Sequence, residues 1–142
     1  MKKLIISLVL IFMATTIVFA VTPKQKIKPS DYNIGITYEQ ARQSDKPAIV
    51  LFYTDWCTYC RRFMPMYESL RTEYQDSYNF VMLNAESNET LANEYVVSGF
   101  PTVYIIDPKI DNRVHLDNGL YDSKYLMKKE LDRYLRIRAR IK

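Results

Sequence analysis

The chain has 142 residues and a mass of 16.8 kDa, enough for one ordinary domain and too little for two. Hydrophobic residues make up 48% and charged residues 25%, with 3 Gly and 2 Cys, which excludes a wholly disordered chain, a collagen-like chain and a disulfide scaffold. The formal net charge is +4, but without Lys2 and Lys3 it falls to +2, too small a surplus to argue for a nucleic-acid partner.

Met1-Lys2-Lys3 is a short cationic start, and residues 4–20 (LIISLVLIFMATTIVFA) carry no charge. Val18-Phe19-Ala20 supplies small or modest residues at the −3 and −1 positions of a cut, the pattern of a secretory signal peptide. The uncharged run slightly exceeds a typical signal core of about 7–15 residues and reaches the lower limit of about 17 for a membrane-spanning helix. Cleavage after Ala20 is the expectation, and an uncleaved N-terminal anchor is the alternative. Both place the rest of the chain outside the cytoplasm, in a periplasmic or other extracytoplasmic space, because the Lys pair stays inside. Residues 21–29 (VTPKQKIKP) are aperiodic and read as a linker. The domain is expected over residues 30–142, with the folded part from near Ser30 to about Arg140.

Thr37 stands three residues before Gln40, a capping box that predicts a short helix to about Ser44. Residues 48–53 (AIVLFY) are continuously apolar, as expected of a strand covered on both faces. Residues 57–74 lack Gly and carry Phe63, Met66, Tyr67 and Leu70, which predicts a helix kinked at Pro65. Residues 80–83 (FVML) read as a short buried strand, 86–95 as a helix, and Gly99 as a turn. Residues 102–106 (TVYII) are β-branched and aromatic, hence a strand. A turn from Asp107-Pro108 to Arg113 should return as a hairpin strand over 114–116, followed by a turn at Asn118-Gly119. Ser123 can cap a last helix whose inner face holds Met127, Leu131, Tyr134 and Leu135. This alternation argues for an α/β fold, a sheet flanked by helices.

The two cysteines occupy Trp56-Cys57-Thr58-Tyr59-Cys60, after a buried strand and at the opening of a helix. A thiolate is the reactive form of Cys, and a helix N-terminus stabilises it. Cys57 should be exposed at the first turn, and Cys60 lies one turn further on the same side. Cys57 can then attack a substrate disulfide and Cys60 resolve the mixed disulfide. Three other readings stay open. A structural disulfide would close a very short loop and so remove little entropy from the unfolded chain. A metal site needs about four ligands, whereas the chain has two Cys and a distant His115. The third is a pair of unrelated buried thiols.

With these residues the sequence resembles the thioredoxin superfamily over roughly residues 37–134. Trp56-Cys57-x-x-Cys60 is similar to its redox motif and Pro65 to the proline of its active-site helix. Gly99-Phe100-Pro101-Thr102 is similar to its cis-proline loop, and Gly119 to a glycine before the last helix. The resemblance implies a thioredoxin fold, a central mixed sheet of about four strands flanked by helices. It implies that Phe100–Pro101 is cis and that this loop pairs with a substrate peptide beside the sulfurs. Phe100 would wall the groove, Trp56 would shield the sulfurs, and Tyr59 would face any partner. Cys57 and Cys60 are thus the expected catalytic residues, and Trp56, Thr58, Tyr59, Phe100 and Pro101 the expected substrate-binding ones. Residues 46–57 are most similar to the C-terminal domain of the bacterial transmembrane disulfide reductase DsbD.

There are departures from the family pattern. Leu51 stands where thioredoxins carry a buried Asp, and Met82 where they carry a buried Lys, so Cys60 lacks an obvious base. Glu68 and Glu86 are conceivable substitutes, although solvation at the surface is expected for both. Asp55 would place negative charge near the sulfurs, against a very low thiol pKa. Arg61 and Arg62 either steer acidic partners and stabilise thiolate or simply form an exposed face. His115 is expected on the hairpin strand, facing solvent or satisfied. The C-terminal cations, Arg133 to Lys142, complement a helix dipole.

The sequence therefore predicts an exported thiol–disulfide oxidoreductase that reduces protein disulfides, with no metal and no organic cofactor. Its expected partners are protein disulfide or thiol substrates and a membrane-bound redox protein, and a monomer is expected. The alternatives are a disulfide oxidase or isomerase, and a non-catalytic binding module of the same fold.

Overall fold

A computed structural model describes residues 27–141. The expected targeting segment, residues 4–20, and residues 21–26 of the expected linker lie outside the described residues. Among the described residues no helix is long and apolar enough to cross a membrane.

The described chain opens with a 3-10 turn at Pro29–Asp31, followed by helix α1 (Tyr38–Arg42), strand β1 (Ala48–Tyr53), helix α2 (Thr58–Tyr74) and strand β2 (Asn79–Asn84). Helix α3 (Glu89–Glu94), strands β3 (Thr102–Asp107) and β4 (Asn112–His115), a 3-10 turn at Asn118–Leu120 and helix α4 (Lys124–Arg138) complete it. The four strands form one mixed sheet in the order β2-β1-β3-β4. β1 runs parallel to β2 and antiparallel to β3, and β4 returns antiparallel to β3. This is the helix-flanked sheet that the resemblance implies.

The continuous apolar run of β1 is explained by burial on both sides, since successive side chains of a strand point to opposite faces. Ile49, Leu51 and Tyr53 join Phe63, Met64, Tyr67 and Leu70 of α2 and Met127, Leu131 and Tyr134 of α4. Ala48, Val50 and Phe52 join Ala41, Val81, Leu83, Ala92 and Tyr95 on the other face. The buried Tyr67 hydroxyl donates towards the carbonyls of Ile49 and Val81, at 2.9 and 2.8 Å, and ties α2 to β1 and to the edge strand β2.

The capping residues work as their chemistry dictates. Thr37 accepts the Gln40 N–H while Gln40 returns to the Thr37 N–H. Ser123 accepts the Leu126 N–H at the start of α4. Pro65 lies inside α2 on its exposed side, with no N–H to give the Arg61 carbonyl, and the helix runs on to Tyr74. Gly35 has φ +87, and a Cβ there would stand 1.8 Å from the Phe80 carbonyl oxygen. That close approach lets Ile36 donate its N–H to Phe80 at 2.9 Å.

Two expected elements differ. The helix expected over 86–95 forms only at Glu89–Glu94. The Asn84 side chain accepts the Glu86 N–H and the Asn84 carbonyl accepts from Asn88, so side-chain turns outcompete helix over 86–88. The hairpin strand expected at 114–116 begins earlier, at Asn112. Asp111 takes φ 47 and tightens the turn, which lets Asn112 pair with Asp107.

Candidate active site

The β1–α2 junction carries the cysteine pair. Cys57 is the N-cap of α2, and its Sγ accepts the Cys60 N–H at 3.0 Å. A sulfur therefore takes the place that a Ser or Asp oxygen would hold at an ordinary helix start. Cys57 and Cys60 form a disulfide with their Cα atoms 5.2 Å apart. Both cysteines are buried, Cys57 at 5% and Cys60 at 0%, so the expectation of an exposed Cys57 is corrected: the exposed Trp56 and Tyr59 flank it, and the first turn of α2 covers most of its surface.

Trp56 is largely exposed at 63%, and its ring meets Phe100 edge-on at 6.0 Å. Its indole N–H donates to a Glu86 carboxylate oxygen at 2.9 Å. Glu86 is exposed, as expected, and the β2–α3 turn described above also brings its carboxylate within reach of the indole N–H. Phe100–Pro101 is cis, and both residues are half-buried beside the motif. The structure thus brings Trp56, Cys57, Cys60, Phe100 and Pro101 to one place. Thr58 and Tyr59 begin α2 and point outward. Arg62 lies over the Tyr59 ring at 5.8 Å, a cation–π contact.

A cavity of about 750 Å³ extends from this corner, with Tyr59, Phe63, Phe100, Pro101, Tyr104 and Tyr121 in its walls. Tyr121 closes its floor by accepting the Val103 N–H and donating to the Leu116 carbonyl, both at 2.9 Å. Burial pushes its phenol up to about 12, so it stays a neutral donor. His115, distant in sequence, is exposed on β4, stacks on Tyr104 at 4.9 Å and lines the same cavity.

The N-terminal side of the motif is clamped. The Ser30 N–H and hydroxyl donate to the two oxygens of Asp55 at 3.0 and 2.9 Å, and Lys28 pairs with it at 3.6 Å. Desolvation pushes the Asp55 carboxyl up, but the Ser30 hydrogen bonds and the Lys28 charge outweigh it and hold it below the usual carboxylate range. The Asp55 carbonyl accepts from the Arg61 guanidinium at 3.0 Å. Asp55 is therefore a structural pin whose charge Lys28 offsets. Leu51 and Met82 face each other across β1 and β2, so an apolar pair occupies the place beneath the motif. No group of three or more His, Cys, Asp or Glu able to hold a metal occurs among the described residues.

Sequence reasoning named Glu86 and His115 but not their places against Trp56 and in the cavity wall, and it missed the Ser30–Asp55 clamp and the Tyr121 wall. The Ser30, Glu86 and Tyr121 contacts depend on partners 18 or more residues away, and the His115 wall on its cross-strand neighbour Tyr104, which local pattern does not reveal.

The comparisons agree with this geometry. The family model "Thioredoxin" matches residues 32–127. The chain is 31% identical over 105 residues to the thioredoxin-like protein HCF164, chloroplastic, of Arabidopsis thaliana, covering 72% of this chain and 38% of that protein. It is 30% identical over 111 residues to protein disulfide-isomerase A4 of Bos taurus, covering 75% of this chain and 17% of that protein. It is 38% identical over 66 residues to the thiol:disulfide interchange protein TxlA of Synechococcus elongatus, covering 45% of this chain and 35% of that protein. The chain thus spans well under two thirds of each of these relatives. Among solved structures, the germline-specific thioredoxin Deadhead of Drosophila melanogaster superposes with a TM-score of 0.57 at 19% identity, covering 67% of this chain and 86% of that one, a likeness of fold. With its mixed sheet, its Cys57–Cys60 pair and a family match over most of the domain, the chain belongs to the thioredoxin family.

Proposed function

We propose that the protein is an exported thiol–disulfide oxidoreductase that reduces protein disulfides, with Cys57 as nucleophile and Cys60 as resolving thiol. The observation that carries this reading is the Cys57 sulfur at the N-cap of α2, where it accepts the Cys60 N–H at 3.0 Å. In the reduced protein that position stabilises a thiolate through the helix dipole and the free N–H groups.

The thiolate of Cys57 attacks one sulfur of a substrate disulfide. The S–S bond breaks, the other substrate sulfur leaves as a thiolate and takes a proton, and a mixed disulfide forms. Cys60 then loses its proton and attacks the Cys57 sulfur, which releases the second substrate thiol and closes the Cys57–Cys60 bond. Two electrons and two protons have passed to the substrate. They travel through the sulfurs, so no organic cofactor is needed. Trp56, Thr58, Tyr59, Phe100 and Pro101 form the surface on which the substrate peptide lies. With Leu51 beneath the motif, solvent takes the Cys60 proton as the Cys57–Cys60 bond closes.

Export rests on the cationic start and the uncharged residues 4–20. The likeness of residues 46–57 to the C-terminal domain of DsbD supports reduction as the direction. An exported reductant spends two electrons per turnover, which requires a membrane-bound donor. The protein acts as a monomer. A second reading is disulfide reshuffling, favoured by the relatives named protein disulfide-isomerase A4.

Cys60→Ser tests the mechanism. It should accumulate mixed disulfides with exported proteins, and Cys57→Ser should accumulate none and lose insulin reduction. Equal behaviour of the two variants would contradict the assignment of roles.

A further inference from the structure

Helix α3 ends in an unusual way. The Val96 N–H donates to the Asn93 carbonyl and the Val97 N–H to the Ala92 carbonyl, at 3.0 and 2.9 Å. That crossed pair is a Schellman motif, whose terminal position demands a left-handed residue and is usually glycine. Here it is Val96, with φ 52. A left-handed conformation is unfavourable for any residue with a Cβ, and more so for a β-branched one. Val96 is also 81% exposed, the most exposed large apolar residue described. Three residues later the chain does place a glycine, Gly99, where φ is not left-handed and a Cβ would meet no atom within 4 Å.

Neither backbone fit nor core packing accounts for Val96. A glycine would relieve the strain and remove the exposed apolar surface. The side chain is explained by where it stands: it lines the cavity that also carries Tyr59, Phe100 and Pro101. That cavity shares Phe100 and Pro101 with the redox corner, where Phe100 meets Trp56, so it adjoins the surface on which a chain engaged at Cys57 would lie. Its other walls are mixed: Phe63, Met66 and Tyr104 offer an apolar stretch, beside polar groups at Arg62, His115, Asn118 and Asp122.

We propose that Val96 is a specificity-determining residue, the lip of a side pocket that receives a bulky apolar side chain next to the cysteine of an extended substrate segment. The inference rests on the proposed disulfide-reductase function and names the substrates that it prefers. Backbone strain at a single exposed position is retained because the isopropyl group contacts substrate.

The test uses the purified full chain and three disulfides. Two are short bridged peptides that differ only in Leu or Ser beside each cysteine, and the third is hydroxyethyl disulfide, which has no side chains. Wild type should favour the Leu peptide. Val96→Gly should raise the KM for that peptide about tenfold at unchanged kcat, as expected for losing a partly buried isopropyl contact. It should leave the Ser peptide and hydroxyethyl disulfide within about twofold and leave Tm equal to or above wild type. Val96→Asn, which tolerates the left-handed region, should behave alike. An unchanged Leu-to-Ser ratio in Val96→Gly, with hydroxyethyl disulfide still reduced, overturns this inference alone. A lowered Tm with equal losses on all three disulfides shows a structural role and also overturns it. Failure of wild type to reduce hydroxyethyl disulfide overturns the function itself and this inference with it.

Discussion

The indole N–H of Trp56 donates to Glu86 across 2.9 Å, and the same ring stands edge-on to Phe100 at 6.0 Å. One residue of the redox motif is thereby fixed from two sides, by the turn after β2 and by the proline loop. Trp56 is the chain's one tryptophan, so its fluorescence reports this arrangement without interference. Glu86→Ala should lower the emission anisotropy of Trp56 and raise the KM for protein disulfides a few-fold, roughly the loss of one charge-assisted hydrogen bond at an exposed site. Glu86→Gln, which keeps an acceptor, should restore most of both. Unchanged anisotropy in Glu86→Ala would show that Phe100 alone holds the ring.

The Ser30–Asp55 clamp should show in acid. The Asp55 carboxyl is held below its ordinary range in the folded protein. A depressed folded value means that the stabilisation is present above the unfolded value of about 3.9 and is lost as pH falls through the folded one. Ser30→Ala should cost about 1 kcal/mol at neutral pH, and less below pH 4. Denaturant midpoints measured from pH 7 to pH 3 check it. A constant difference between variant and wild type across that range would contradict the clamp.

Glu73 joins α2 to α4 through Lys124 and Lys128, the latter at 2.7 Å. The hydrogen bond from Lys124, then that from Lys128, holds its carboxyl down at about 2, from an ordinary 4.5. By the same sign its contribution is complete above about pH 4.5 and fades towards pH 2. Glu73→Gln should flatten the acid limb of the stability profile, and the flattening should shrink in high salt because the pairs are at the surface.

Asp107 has a side chain with no exposure and is paired with Arg138, which also donates to the Asp45 carbonyl at 2.6 Å. Removing one partner of a buried pair leaves an uncompensated charge. Arg138→Ala should therefore destabilise the domain by about 3 kcal/mol, while Arg133→Ala, a surface i,i+3 pair, should cost well under 1 kcal/mol. Equal losses in urea denaturation would contradict the distinction. The C-terminal cations are thus not equivalent, although in sequence they read as one run that complements a helix dipole.

Much of the fold was legible because the residues that form it are local. The uninterrupted apolar run 48–53 names a strand buried on both faces, and Thr37 with Gln40 and Ser123 with Leu126 state their own helix starts. The start of α3 was not legible, since the Asn84 side chain captures the Glu86 N–H and no propensity scale contains that competition. Its end falls within one residue of the expectation, but the left-handed turn at Val96 that follows was not legible, because valine favours strands. The redox pair followed from its own spacing and placement. Phe100 and Pro101 entered through a family motif alone, and Glu86 and His115 needed the folded chain to bring them in.

The central claim is that the Cys57–Cys60 couple gives electrons to substrates. Its reduction potential, measured against a dithiothreitol or glutathione redox buffer, tests this most directly. The account predicts a value near the thioredoxin level of about −270 mV. A value near the DsbA level of about −120 mV would contradict it and make the protein a disulfide donor.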